Sequence, residues 1–122
     1  MTQDMKERTL HLFNRYKWYD MIERDEKPDE YREIAVWKKR ICRYGNAKHI
    51  NQNNSCSAQC PFFTPKCREA VPTDITHVCF HRGYSSRTML REVEKITVGR
   101  GKPEWGAPDH DTFIIKLKER AK

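Results

Sequence analysis

Leu10 and Leu12 fall on one side of the segment Thr9 to Phe13 and His11 on the other, the period of two that predicts a short strand. Asn14 is placed as the N-cap of a following helix, Tyr16 to Arg24. In that helix Tyr16, Tyr19 and Ile22, joined by Trp18, recur at three- and four-residue spacing against a more polar opposite side. Pro28 disfavours helix for Lys27, so the chain is expected to turn there. Asp29 to Ile34 reads as a strand in which Glu30, Arg32 and Ile34 share one face. A second helix is expected over Ala35 to Arg43.

The next stretch, from Tyr44 to about Asp74, has no usable periodicity and reads as an insertion or long loop. Alternation returns over Ile75 to Arg82, with Val78 and Phe80 on the face that ends in Arg82, and Gly83 and Tyr84 turn the chain. Thr88 to Val98 slips phase between Val93 and Ile96, the mark of a bulged strand; helix over Ser86 to Glu94 is the alternative. Gly99 to Asp111 is a loop by composition, with Trp105 at its middle. A last strand, Thr112 to Lys118, points Phe113, Ile115 and Leu117 inward. About five strands with two early helices predict an α+β fold, a small mixed barrel, since two helices are too few to cover both faces of a doubly wound sheet.

Length and composition place limits on that picture. The chain has 122 residues, 37% of them hydrophobic and 34% charged, which supports one domain spanning 1–122 around one modest core. Twenty-four Lys and Arg against 17 Asp and Glu give a net charge of +7, favouring a polyanionic partner such as nucleic acid, although a solvated basic face accounts for the same numbers. No apolar run reaches membrane-spanning length, and MTQDMKERTL lacks the hydrophobic block of a signal peptide. A cytoplasmic protein without a membrane partner is expected, its five cysteines serving as thiols or metal ligands rather than disulfides.

The densest chemistry lies in Asp25 to Arg32, DEKPDEYR. Lys27 can meet a phosphate as a point charge or act as a base, and Glu30 can accept from an exocyclic amine or act as general acid or base. Arg32 offers a fork of donors to phosphate or carboxylate. The bland alternative is an internal Glu30–Arg32 or Glu30–Lys27 pair that only holds shape. Lys17 and Arg82 are candidate rim cations, and Trp37, Tyr84 and Trp105 are candidate stacking faces for a base. Tyr31, on the opposite strand face from Glu30 and Arg32, is assigned to core packing. The run Trp37 to Arg43 offers phosphate contacts or a solvated face. Within the insertion, Cys56, Cys60 and Cys67 with His49, or Cys42 as the alternative fourth donor, form a candidate structural zinc site. Free thiols in a mobile loop are the competing reading, and Cys79 is assigned to the core.

Lys17 to Ile22, Glu26-Lys27, Glu30 to Arg32, Trp37, Arg82-Gly83-Tyr84 and Trp105-Gly106 together resemble the ASCH domain family (activating signal cointegrator homology). Its signature is Gly-x-Lys-x-x-Glu-x-Arg; Lys27, Glu30 and Arg32 occupy three positions, and Asp25 stands where glycine is usual. The resemblance covers most of the chain apart from the cysteine-bearing insertion. It implies a PUA-like barrel with a ligand cleft beside the signature, and a role in RNA or modified-nucleotide metabolism. Cleavage of RNA and amide hydrolysis of an acylated cytidine are the two activities it implies, Lys27 being central and Glu30 its partner. Amidohydrolase members carry Thr where Glu30 stands, so binding is expected first and hydrolysis second. A protein-interaction domain using the insertion is a further, weaker alternative.

Overall fold

The computed structural model describes residues 8–42 and 69–119. Among the described residues five strands and two helices follow in the order β1 (Thr9–Asn14), α1 (Tyr16–Glu23), β2 (Asp29–Arg32), α2 (Ile34–Ile41), β3 (His77–Arg82), β4 (Thr88–Gly99) and β5 (Thr112–Leu117), with a 3-10 turn at Pro103–Trp105. The strands form one mixed sheet in the order β1-β3-β4-β5-β2. Only β1 and β3 run parallel; the other neighbours are antiparallel. This is the small α+β, barrel-like architecture expected, in the form of a half-barrel.

Alternation sets the inner face. Leu10, Leu12 and Asn14 of β1 are buried, and so are Val78 and Phe80 of β3 and Phe113, Ile115 and Leu117 of β5. Tyr19 and Ile22 of α1 close over this face, as does Ile41 of α2. In β4 the register shifts between Val93 and Lys95, where the sequence slips phase, and the strand runs unbroken from Thr88, so the alternative helix over Ser86 to Glu94 does not form.

Several boundaries differ from expectation, each for a local reason. Asn14 is not a helix cap: it ends β1 with its side chain buried, and Arg15 precedes the helix without a side-chain cap. Tyr16 is exposed, its ring covered by the Arg82 guanidinium rather than by the core. β2 ends at Arg32, because Ile34 already belongs to α2. Lys38 of α2 is buried, with no hydrogen-bond partner for its Nζ among the described residues, so that helix is not basic on a solvated face alone. The expected loop end also contributes to the core: Val71 is buried and its N–H donates to the Ile96 carbonyl at 2.6 Å. Residues 43–68, which include most of the insertion, lie outside the described residues. Among the described residues no helix is long and apolar enough to cross a membrane.

β1 and β2 are the two ends of the sheet, yet the curl brings them together. Arg32 Nη2 of β2 donates to Asn14 Oδ1 at 2.5 Å and to the Phe13 carbonyl at 3.2 Å, both in β1. A side chain, not a backbone ladder, joins the two edges.

Candidate functional site

The turn after α1 sets up the site. Asp25 takes a left-handed conformation (φ 63°), and the N–H groups of Glu26 and Lys27 fold back onto the Met21 carbonyl at 2.9 and 3.2 Å. That ends the helix and points Lys27 inward. Aspartate tolerates the left-handed region better than most residues. In β2 the two-residue period puts Glu30 and Arg32 on one face, opposite Ile115 and Phe113 of β5.

Lys27 and Glu30 are almost wholly removed from solvent, 1% and 5% exposed. Lys27 Nζ donates to Glu30 Oε1 at 2.7 Å and to the Asp29 carbonyl at 2.6 Å. Glu30 Oε2 accepts from Arg32 Nε at 3.0 Å and Nη2 at 2.8 Å. One carboxylate is thus shared by two cations, and the relay continues through Arg32 to Asn14. Such a buried pair holds only when both partners are present, since either one alone is an uncompensated charge. Beside it, burial pushes the Asp29 carboxyl above its usual range, with Lys116 and Lys27 pulling the other way.

Over this polar floor lies a cleft of two adjoining lobes. The first, of about 210 Å³, is lined by Phe13, Asn14, Arg15, Trp18 and Trp105 around the Lys27–Glu30–Arg32 relay. The second, of about 330 Å³, is bounded by Glu33, Trp37, Pro108 and Thr112. Tyr31, Arg32 and Gly106 belong to both. These volumes are at or below the low end of the ~300–1,000 Å³ usual for small-molecule sites, so a lobe accommodates a ring rather than a large ligand. Trp37 carries the Arg32 and Arg40 guanidinium groups at 5.4 and 5.1 Å from its ring centre, and Lys102 Nζ sits 4.4 Å from that of Trp105.

The loop between β4 and β5 closes the cleft by contact with the helix and strand beneath. Lys102 N–H donates to Tyr31 Oη at 3.1 Å, and a Cβ at Gly101 would overlap the Tyr31 ring. Gly106, at φ 92°, lies against Trp18 so closely that a Cβ would stand 2.9 Å from the indole. Tyr31 is therefore a wall of both lobes, not the core residue expected. Burial raises its phenol pKa, while the Lys102 N–H opposes the shift.

Of the residues singled out from sequence, Lys27, Glu30, Arg32 and Trp105 meet in the first lobe and Trp37 joins through the second. Lys17 is exposed, its Nζ 4.7 Å from the centre of the Trp18 ring at the rim. Arg82 is elsewhere: Asp20 accepts from its Nε and Nη2 at 2.8 and 3.0 Å, and Tyr16 lies beneath it at 4.1 Å. Tyr84 is fully exposed and lines neither lobe. Asn14 and Phe13 were missed as site residues. The available signal was Asn14 itself, a polar residue continuing the Leu10, Leu12 inward series. Cys42 lies half-buried against the core, and Cys56, Cys60, Cys67 and His49 are outside the described residues. Cys79 is not core: it lies half-buried on the outer face, as the inward placement of Val78 and Phe80 requires.

Comparison of the chain with protein-family models, with curated proteins and with solved structures finds no match in any of the three.

Proposed function

We propose that this ASCH-like domain binds RNA or a modified nucleotide, seating a base in the cleft above Lys27, Glu30 and Arg32. The observation that carries the reading is the shared carboxylate. Two cations on one buried anion leave a net positive floor, between indole and phenol walls, in a lobe sized for a ring. Aromatic faces stack on any base, and a positive floor suits its acceptor edges or a neighbouring phosphate. Arg15 at the exposed lip and the overall charge of +7 favour the same class of ligand.

Binding is favoured over hydrolysis by the state of Lys27. Its ammonium donates to both Glu30 and Asp29, so action as a base needs that pairing to be broken and a proton to be lost. The hydrolase reading, acting on an RNA phosphodiester or an acylated nucleoside through Lys27 with Glu30, is the alternative.

Titration of the isotopically labelled chain with nucleosides, nucleotides, acetylated cytidine and short RNA tests the reading. Shifts of the Trp18 and Trp105 indole resonances with no product released are expected. Turnover that disappears in Lys27→Ala would establish the hydrolase instead, and no shift with any member of the set would reject the cleft as a nucleotide site.

A further inference from the structure

On the outer face of the sheet, away from the polar floor of the cleft, the parallel pairing of β1 with β3 sets His11 opposite Cys79 and Phe13 opposite His81. His11, Cys79 and His81 converge there. His11 Nδ1 and His81 Nε2 are 2.9 Å apart, and a ring nitrogen of each histidine and the Cys79 sulfur all lie within 4.8 Å of one another. The geometry points to a divalent metal site, zinc by its donor set, held by His11, Cys79 and His81 with a fourth position open to water or an exogenous donor.

Two imidazoles and a thiolate are ligands that zinc takes at about 2.0–2.1 and 2.3 Å, and three protein ligands with one vacancy is its usual open arrangement. Tetrahedral geometry at those bond lengths separates two nitrogens by about 3.4 Å and nitrogen from sulfur by about 3.6 Å. The two nitrogens need to part by only about 0.5 Å from their 2.9 Å separation, and the 4.8 Å limit on the three donors includes the nitrogen–sulfur spacing. The two rings are tilted at 44° with centres 5.2 Å apart, which lets both nitrogens face one point. His81 is further fixed by Phe13, stacked on it at 4.4 Å, and Leu90 stands opposite Cys79 on β4.

Proton accounting is simple. Without metal, one neutral imidazole donates its N–H to the other. On binding, that ring moves its proton to the far nitrogen, the Cys79 thiol gives one proton to solvent, and both near nitrogens and the thiolate donate electron pairs to the ion. This set is distinct from the cysteines of the insertion, and the experiment must separate them.

Cobalt(II) does so, because a thiolate ligand gives it a charge-transfer absorption. The full chain carrying Cys42→Ala, Cys56→Ser, Cys60→Ser and Cys67→Ser keeps Cys79 as its sole thiol. Stoichiometric cobalt is expected to give that absorption and zinc to bleach it. Adding Cys79→Ser should abolish the band, and His11→Gln or His81→Gln should weaken zinc binding by roughly tenfold or more. If Cys42→Ala prevents folding, the variant keeping Cys42 gives the same reading against its own Cys79→Ser control. No band with cobalt in excess, a band that survives Cys79→Ser, or unchanged affinity in both histidine variants would overturn the site.

Discussion

Lys27 donates a 2.7 Å hydrogen bond to Glu30 where neither side chain is more than 6% exposed. The pair lies three residues apart across a turn, at the end of a strand, and forms the floor of the cleft. Removing Lys27 leaves Glu30 still paired with Arg32, whereas removing Glu30 leaves the Lys27 ammonium buried without a counter-ion, so Glu30→Leu is expected to lower the unfolding free energy by about 3–5 kcal/mol. The double change Lys27→Met with Glu30→Leu should recover part of that loss, because the part-exposed Arg32 still donates to Asn14 and the Phe13 carbonyl. Urea denaturation of both variants measures it; a double variant no more stable than Glu30→Leu would show that the pair is not the cause.

Aromatic stacking is tested at Trp105. If the cleft seats a base, Trp105→Ala should weaken nucleotide binding by about 1–3 kcal/mol, while Tyr84→Ala, exposed and away from both lobes, should leave it unchanged. Equal losses from the two, read by titration calorimetry, would move the binding surface away from the cleft.

Gly106 tests whether the loop position matters. Alanine there meets Trp18 and must hold φ near 92°, so Gly106→Ala should cost about 1–3 kcal/mol of stability. The melting temperature should fall, and the Trp18 indole resonance should move with it. An unshifted indole would mean the loop accommodates the methyl without touching the cleft wall.

Asp20 gives a pH signature independent of the cleft. Its hydrogen bonds from Arg82 hold its carboxyl below the usual aspartate range. The folded pKa is lower than the unfolded one, so the stabilisation is complete above the unfolded value and disappears as pH falls through the folded value. Asp20→Asn should therefore flatten the acid limb of stability against pH below about pH 4 and change its slope little at neutral pH. Thermal melts from pH 2 to 7 decide it; an unchanged acid limb would remove Asp20 from the titrating groups.

Local pattern and long-range closure were unequally legible in the sequence. The shared face of Glu30 and Arg32 followed from the period of two, and the bulge in β4 from a phase slip at Val93, because both are properties of a single strand. Asn14 and Arg32 stand 18 residues apart at opposite ends of the sheet order, and no local pattern states that those ends meet. The same reason hid Tyr31: its assignment to the core was sound for an isolated strand, but the loop carrying Lys102 and Gly101 folds over its ring. Arg82 looked like a rim cation until α1 supplied Asp20 across 62 residues. The outward placement of Cys79 was available from the alternation of Val78 and Phe80, and the parallel register that sets it opposite His11 was not.

The clasp between Arg32 and Asn14 makes the half-barrel a cylinder with one unzipped line. Every other strand boundary is a row of amides and carbonyls that must break together, whereas among the described residues this one is bridged by the Arg32 guanidinium. Breathing should therefore concentrate along it, with amides on the open flanks of β1 and β2 exchanging with solvent faster than those of β4 at the centre of the sheet. Since the same guanidinium forms part of the cleft floor, an anion that draws Arg32 away from Asn14 would speed that exchange, and one that spans both residues would slow it. The domain would then report its occupant as a change in compliance, with no rearrangement of its fold.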